Sequence, residues 1–194
     1  MGDARAIFKL GLCYSNGTGC AQDKKKAFEL YSKAADMGNA RAICNLGNCY
    51  SNGDGCAQDK KKAFDLYSKA AEMRDARAIY NVGLCYEYGT GCEKDGRKAF
   101  ELYSNAAELR NANAICSLGV CYSNGTGCSE DKKKAFHFYT KAAEMGDTRA
   151  TRRLGVCYEK GTGCVQDTKK AVLLFTKAAD RGDAEAIRCL GDCY

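Results

Sequence analysis

The sequence predicts an all-α chain, an α/α solenoid of 36-residue helix-turn-helix repeats, and three observations carry that reading. First, the segment LGLCYSNGTGC at Leu10–Cys20 returns as LGNCYSNGDGC at Leu46–Cys56, VGLCYEYGTGC at Val82–Cys92, LGVCYSNGTGC at Leu118–Cys128 and LGVCYEKGTGC at Leu154–Cys164. Second, the interval never varies, with Cys13, Cys49, Cys85, Cys121, Cys157 and Cys193 each 36 residues apart. A fixed period of this length marks a stacked array. Third, each unit holds two apolar stripes at helical spacing, separated by a pair of glycines.

The first helix of a unit, helix A, opens at a short polar side chain able to cap exposed amides. That slot holds Asp3, Asn39, Asp75, Asn111, Asp147 and Asp183. Ile7, Leu10, Gly11 and Tyr14 then fall at i, i+3, i+4 and i+7 on one face. A glycine inside a helix costs about 1 kcal/mol against alanine. Its return at Gly47, Gly83, Gly119, Gly155 and Gly191 predicts close approach of a neighbouring helix.

The chain next turns at Gly17 and Gly19, residues that accept positive φ, and helix B starts after the cap Asp23. Its equivalents are Asp59, Asp95, Asp131 and Asp167. Ala27, Leu30, Tyr31 and Ala34 form the apolar stripe of helix B, which Gly38 closes, as do Gly146 and Gly182. Arg74 and Arg110 stand in that closing slot in two repeats. The expected units are 3–38, 39–74, 75–110, 111–146 and 147–182, with a partial copy over 183–194, in one array spanning 1–194. Met1 matches the interior Met37 and Met145, so the chain reads as part of a longer array or as a truncated gene model.

Bulk properties agree with a folded array. Of 194 residues, 45% are hydrophobic and 28% charged, which excludes a disordered chain. No apolar run approaches the roughly 20 residues of a membrane span. Proline is absent, and the net charge of +6 is compatible with acidic partners without requiring them.

The fixed positions resemble the Sel-1-like repeat, a relative of the tetratricopeptide repeat. The resemblance rests on Ala6, Leu10, Gly11, Tyr14, Gly17, Gly19, Asp23, Lys26, Ala27, Tyr31, Ala34 and Ala35, and covers nearly the whole chain. It implies a right-handed superhelix whose concave face holds peptides or protein domains, as in adaptors. Cys20 and its equivalents stand where the family usually has an aliphatic residue. A disulfide-rich bacterial branch with reported penicillin binding has cysteines elsewhere, where this chain has Ala34, Ala35, Ala40 and Ala42.

Four groups of residues are candidates for chemistry. The pairs Cys13/Cys20, Cys49/Cys56, Cys85/Cys92, Cys121/Cys128 and Cys157/Cys164 are candidate disulfides within repeats or, alternatively, packed thiols. Cys44, Cys116, Cys189 and Cys193 are expected to stay unbridged. Oxidised pairs would indicate a secretory or extracytoplasmic compartment, and reduced ones the cytoplasm. Zinc wants four ligands, which the lone His137 does not help to supply, so no metal or cofactor is expected. The lysine runs Lys24–Lys26, Lys60–Lys62 and Lys132–Lys134 are either a solvated edge or a ridge for an acidic partner or nucleic acid. The sequons Asn16–Thr18 and Asn124–Thr126 serve equally as helix-ending turns.

The preferred binding surface is the variable stripe of helix A, expected to lie opposite the core face. It places Phe8, Lys9, Leu12, Asn45, Asn48, Tyr80, Asn81, Leu84, Arg152 and Arg153 on the concave side. Asparagines and arginines can hold a peptide backbone there, with Phe8 and Tyr80 filling pockets. The chain carries no serine elbow, phosphate loop or metalloprotease helix. The expected role is therefore a non-catalytic scaffold for a protein or peptide. Small-molecule binding or hydrolysis of the β-lactam kind, and an acidic or nucleic-acid partner on the lysine ridge, are the alternatives.

Overall fold

A computed structural model describes residues 3–191, which form eleven α-helices and, among the described residues, no strand. The chain divides into two compact units, Met1–Asp95 and Gly96–Tyr194. The first contains α1 (Ala4–Asn16), α2 (Lys24–Asp36), α3 (Ala40–Asn52), α4 (Lys60–Glu72) and α5 (Ala76–Tyr88). The second contains α6 (Gly96–Glu108), α7 (Ala112–Asn124), α8 (Lys132–Glu144), α9 (Thr148–Lys160), α10 (Thr168–Ala179) and α11 (Ala184–Gly191). Odd numbers are helix A and even numbers helix B. The last helix A was expected to run to Tyr194, and its end, with Cys193, lies outside the described residues.

The caps form where the sequence places them. Asn39 Oδ1 accepts the amide of Ala42 at 3.0 Å, Asp147 that of Ala150 at 2.7 Å, and Asp23 that of Lys26 at 2.9 Å. At the other end of α3, Gly53 adopts φ 79° and its amide, with that of Asp54, donates to the Cys49 carbonyl. The amide of Asp59 then returns to the Tyr50 carbonyl at 2.9 Å, so the turn is tied at both ends. The same bonds recur around Cys121, Gly125, Thr126 and Asp131 in the second unit.

Sequential helices pack in order within each unit, α1 through α5 and α6 through α11. The mid-helix glycines make this possible: a Cβ on Gly47 would lie 2.6 Å from the Tyr67 ring, and one on Gly119 2.5 Å from Tyr139. The second glycine of the turn after α3 is tighter still, since a Cβ on Gly55 would fall on the Lys24 carbonyl of the preceding helix B, whereas Gly19 in the first turn has open space. Edge-to-face ring pairs join successive repeats, Phe28–Tyr50 at 5.5 Å and Phe136–Tyr158 at 5.4 Å. Arg74 and Arg110 close α4 and α6 with φ 61° and 60°, where other repeats use glycine. A side chain in this left-handed region costs about 1–2 kcal/mol.

The disulfide expectation is corrected. The described members of Cys13/Cys20, Cys49/Cys56, Cys85/Cys92, Cys121/Cys128 and Cys157/Cys164 are thiols, as are Cys44, Cys116 and Cys189. The turn does fold each second cysteine back, but the first is buried in the core (Cys13, half-buried, excepted) while the second stays half-buried in the loop. Cys157 is buried and Cys164 half-buried, and the Cys164 thiol meets the Cys157 carbonyl at 3.4 Å instead of its sulfur. Burial pushes the Cys49, Cys85 and Cys157 thiols up to about 11, away from the reactive thiolate.

Candidate peptide-binding groove

The variable stripe of helix A is more deeply placed than its polarity predicts. All six residues from Ala42 to Gly47 are buried, as are Ala114 to Gly119, because the centre of an internal helix A is covered on every side by its neighbours. Phe8 and Tyr80 are only 5% and 8% exposed, so their rings are mainly core and present no more than an edge to solvent. Phe8 packs against Tyr31 with centroids 5.9 Å apart. Asn45 is buried, and Asn48, Asn81 and Leu84 are half-buried.

The asparagines form a bonded set. Asn48 Oδ1 accepts the Tyr67 hydroxyl at 2.8 Å and the Asn81 amide at 3.4 Å, and that amide also reaches Cys44 Sγ at 3.6 Å. Burial raises the Tyr67 phenol, which therefore remains a donor, and it pushes the Cys44 thiol up to about 12. Asn45 and Asn48 also line a small depression of about 220 Å³ with Ser15, Lys24 and Asp54.

What remains open in the first unit lies along the N-terminal ends of α1, α3 and α5. A groove of about 860 Å³ has Phe8, Leu12 and Met73 as its apolar lining and Arg5, Lys9, Arg41 and Arg74 as its cations. An adjoining space of about 400 Å³ adds Arg77. Arg5, Arg41 and Arg77 occupy one slot in three successive repeats, each the second residue of its helix and each exposed. Asp75 is the carboxylate in this lining, and its Oδ1 already accepts the amides of Arg77 and Ala78. Of the expected binding residues, Phe8, Lys9 and Leu12 thus share one groove, whereas Arg74 and Met73 were absent from that set. The signal for Arg74 was an arginine in a glycine slot.

In the second unit the expected arginines are engaged. Arg152 Nε donates to both carboxylate oxygens of Asp183 at 3.2 Å, and the Arg153 guanidinium lies 6.0 Å from the Tyr139 ring. The lysine runs are similarly occupied within repeats. Lys62 sits 4.3 Å over the Tyr50 ring and Lys26 4.3 Å over that of Tyr14, while Lys60 and Lys132 donate to the carbonyls of Ser51 and Ser123. His137 is exposed on α8 beside Phe138. Among the described residues, no group of His, Cys, Asp or Glu is arranged to hold a metal, and no helix is long and apolar enough to cross a membrane.

A model of the Sel1 repeat matches residues 4–39, 40–75, 76–111, 112–147 and 148–183. Among solved structures, a Sel1 repeat protein from Oxalobacter formigenes shares 34% identity with a TM-score of 0.90, over 99% of this chain and 78% of that one. A protective antigen of uropathogenic Escherichia coli strains, displaying an SLR fold, shares 34% identity with a TM-score of 0.80. That match covers 97% of this chain but only 40% of the antigen. The Helicobacter pylori cysteine rich protein B is 32% identical with a TM-score of 0.54, over 69% of this chain and 96% of that protein. Comparison with curated proteins finds no match.

Proposed function

This chain belongs to the Sel1 repeat family, and on that premise we propose that it is a scaffold holding an extended segment of a partner protein in the groove along α1, α3 and α5. Proteins built from these repeats are generally interaction scaffolds. The observation that carries the reading is the groove itself: an apolar strip of Phe8, Leu12 and Met73 rimmed by cations of three successive repeats. Apolar carbon beside long polar side chains suits a peptide, whose backbone and side chains need both. The groove supplies holding chemistry, with no serine, threonine, cysteine or histidine in its lining to act on a bound group. A displayed peptide library selected on the intact chain tests it. Selected peptides are expected to lose binding to Leu12→Asp and keep it with His137→Ala. Peptides indifferent to Leu12→Asp would move the site off this groove.

A further inference from the structure

Resting on that groove, we propose that its occupant is an acidic segment in an extended, polyproline-like conformation, with a carboxylate side chain at every third residue. The first support is the charge balance. Arg5, Lys9, Arg41, Arg74 and Arg77 line the two adjoining spaces, against the single carboxylate of Asp75. Asp75 is committed to capping α5 and lies 3.9 Å from Arg77 Nε. The side chains of Arg5, Lys9, Arg41 and Arg74 make no ion pair or hydrogen bond with any described residue. Some exposed cations elsewhere in the chain do find partners, as Lys24 does on Asp54 and Arg149 on Asn113. Like charges gathered without counter-charge repel, and an anionic ligand relieves that repulsion.

The second support is Arg74. It holds φ 61° in a slot where Gly38, Gly146 and Gly182 take the same conformation without a side-chain penalty. A strained backbone that keeps a cation at a groove is a pointer to binding. Arg110 supplies the internal control, because it adopts φ 60° beside Glu108, Glu144 and Lys141. Its surroundings already hold carboxylates, so the control groove does not call for an acidic ligand.

The third support is register. Arg5, Arg41 and Arg77 repeat once per repeat on successive A helices. Successive A helices touch through side chains, Asn81 of α5 reaching Asn48 and Cys44 of α3, and helices in contact lie about 8–10 Å apart. A polyproline II chain advances about 3.1 Å per residue with three residues per turn. One turn therefore spans about one repeat and returns the same face, so acids at every third position meet successive arginines.

The test uses the intact chain and labelled peptides of three Asp-Pro-Ala triplets, with a shuffled peptide of the same composition, a Lys-Pro-Ala version, an uncharged Gln-Pro-Ala version and a single-stranded oligonucleotide. Anisotropy is expected to show binding of the acidic triplets that weakens as salt rises, with at least about tenfold loss for the shuffled peptide and for Arg41→Glu. Arg74→Gly should also weaken binding while raising the melting temperature, which separates lost contact from lost fold. Arg110→Gly should leave binding unchanged. Equal binding of acidic and shuffled peptides, tighter binding of the oligonucleotide, or indifference to Arg41→Glu and Arg74→Gly overturns the proposal. Binding of the uncharged peptide that depends on Leu12 but not on the arginines would overturn the acidic occupant while leaving the groove reading in place. Binding of these peptides unaffected by Leu12→Asp would sink both.

Discussion

The two units share one repeat and differ in what their arginines do. In the first, Arg5, Arg41 and Arg74 face a groove with their guanidinium groups unengaged. In the second, Arg152 is tied to Asp183, Arg149 to Asn113, and Arg153 lies over Tyr139. The backbone frame is the same in both, with Asp or Asn capping each internal helix A and the same turn bonds. A few slots make the difference: Asn113 replaces the helix-start arginine, and Arg152 occupies the position of Phe8 and Tyr80. A repeat thus fixes where side chains are presented, and the variable slots decide whether they serve packing or a ligand.

The largest effect that probes this contrast comes from the buried end of the stripe. Tyr80→Ala should cost roughly 3–5 kcal/mol in denaturant unfolding, because the ring is core volume. Arg41→Ala, on the rim of the same unit, should leave the midpoint unchanged. A small Tyr80 effect would mean that its ring is an open pocket wall after all.

Position within the array sets the next effect. Leu118 is 3% exposed and Leu10, its equivalent on α1, is 47% exposed, since α1 has no preceding helix B over that face among the described residues. Leu118→Ala should cost about 2–5 kcal/mol, and Leu10→Ala less than about 1 kcal/mol. Arg152→Ala should fall between, at about 1–2 kcal/mol, because the ion pair with Asp183 is largely sheltered and its loss leaves a carboxylate at the start of α11. Hydrogen exchange should show that loss first in α11.

Much of this molecule is legible in its sequence for a simple physical reason. Capping and turn chemistry are local, and the period multiplies each signal. Asn39 and Gly53 could be assigned from neighbours a few residues away, and Gly47 from its return in every repeat. Exposure of the stripe was not legible, because the faces of α3 are covered by other repeats and a polar residue such as Asn45 gives no sign of burial. The cysteine pairs failed for a related reason. Sequence spacing sets how close Cys157 and Cys164 come, but the direction of each Cβ decides whether sulfur meets sulfur or a carbonyl.

The buried thiols give both units the same pH response. Cys44 is pushed up to about 12 and Cys116 to about 11, chiefly by burial, from an ordinary value of 9.0. Folding therefore favours the protonated thiol. That contribution is complete below pH 9 and is lost as pH rises towards 11, where the unfolded chain ionises and the folded one does not. Each thiol removes at most about 1.4 kcal/mol per pH unit in that window. Urea unfolding between pH 8 and about 11 should show a shallower decline in Cys44→Ala and in Cys116→Ala than in the parent chain. Equal slopes would mean that these thiols ionise as readily in the folded state.

The smallest expected effect separates the arginine groove from the lysine runs. The outer lysines of a run are engaged within the array: Lys60 Nζ bonds the Ser51 carbonyl at 2.5 Å, Lys62 lies over Tyr50, and Lys24 pairs with Asp54. The middle lysines, Lys25, Lys61 and Lys133, are exposed and make no such contact among the described residues. Changing all three to glutamate alters the net charge by six while touching neither the groove lining nor a repeat contact. If the arginines hold the ligand, acidic-peptide affinity should fall only slightly, through the weakened long-range field, and that fall should vanish at higher salt. Arg41→Glu, a far smaller change in charge, should still reduce affinity at least about tenfold under the same conditions. The opposite ranking would make the lysine edge the binding surface and leave Arg41 an exposed side chain with no part in recognition.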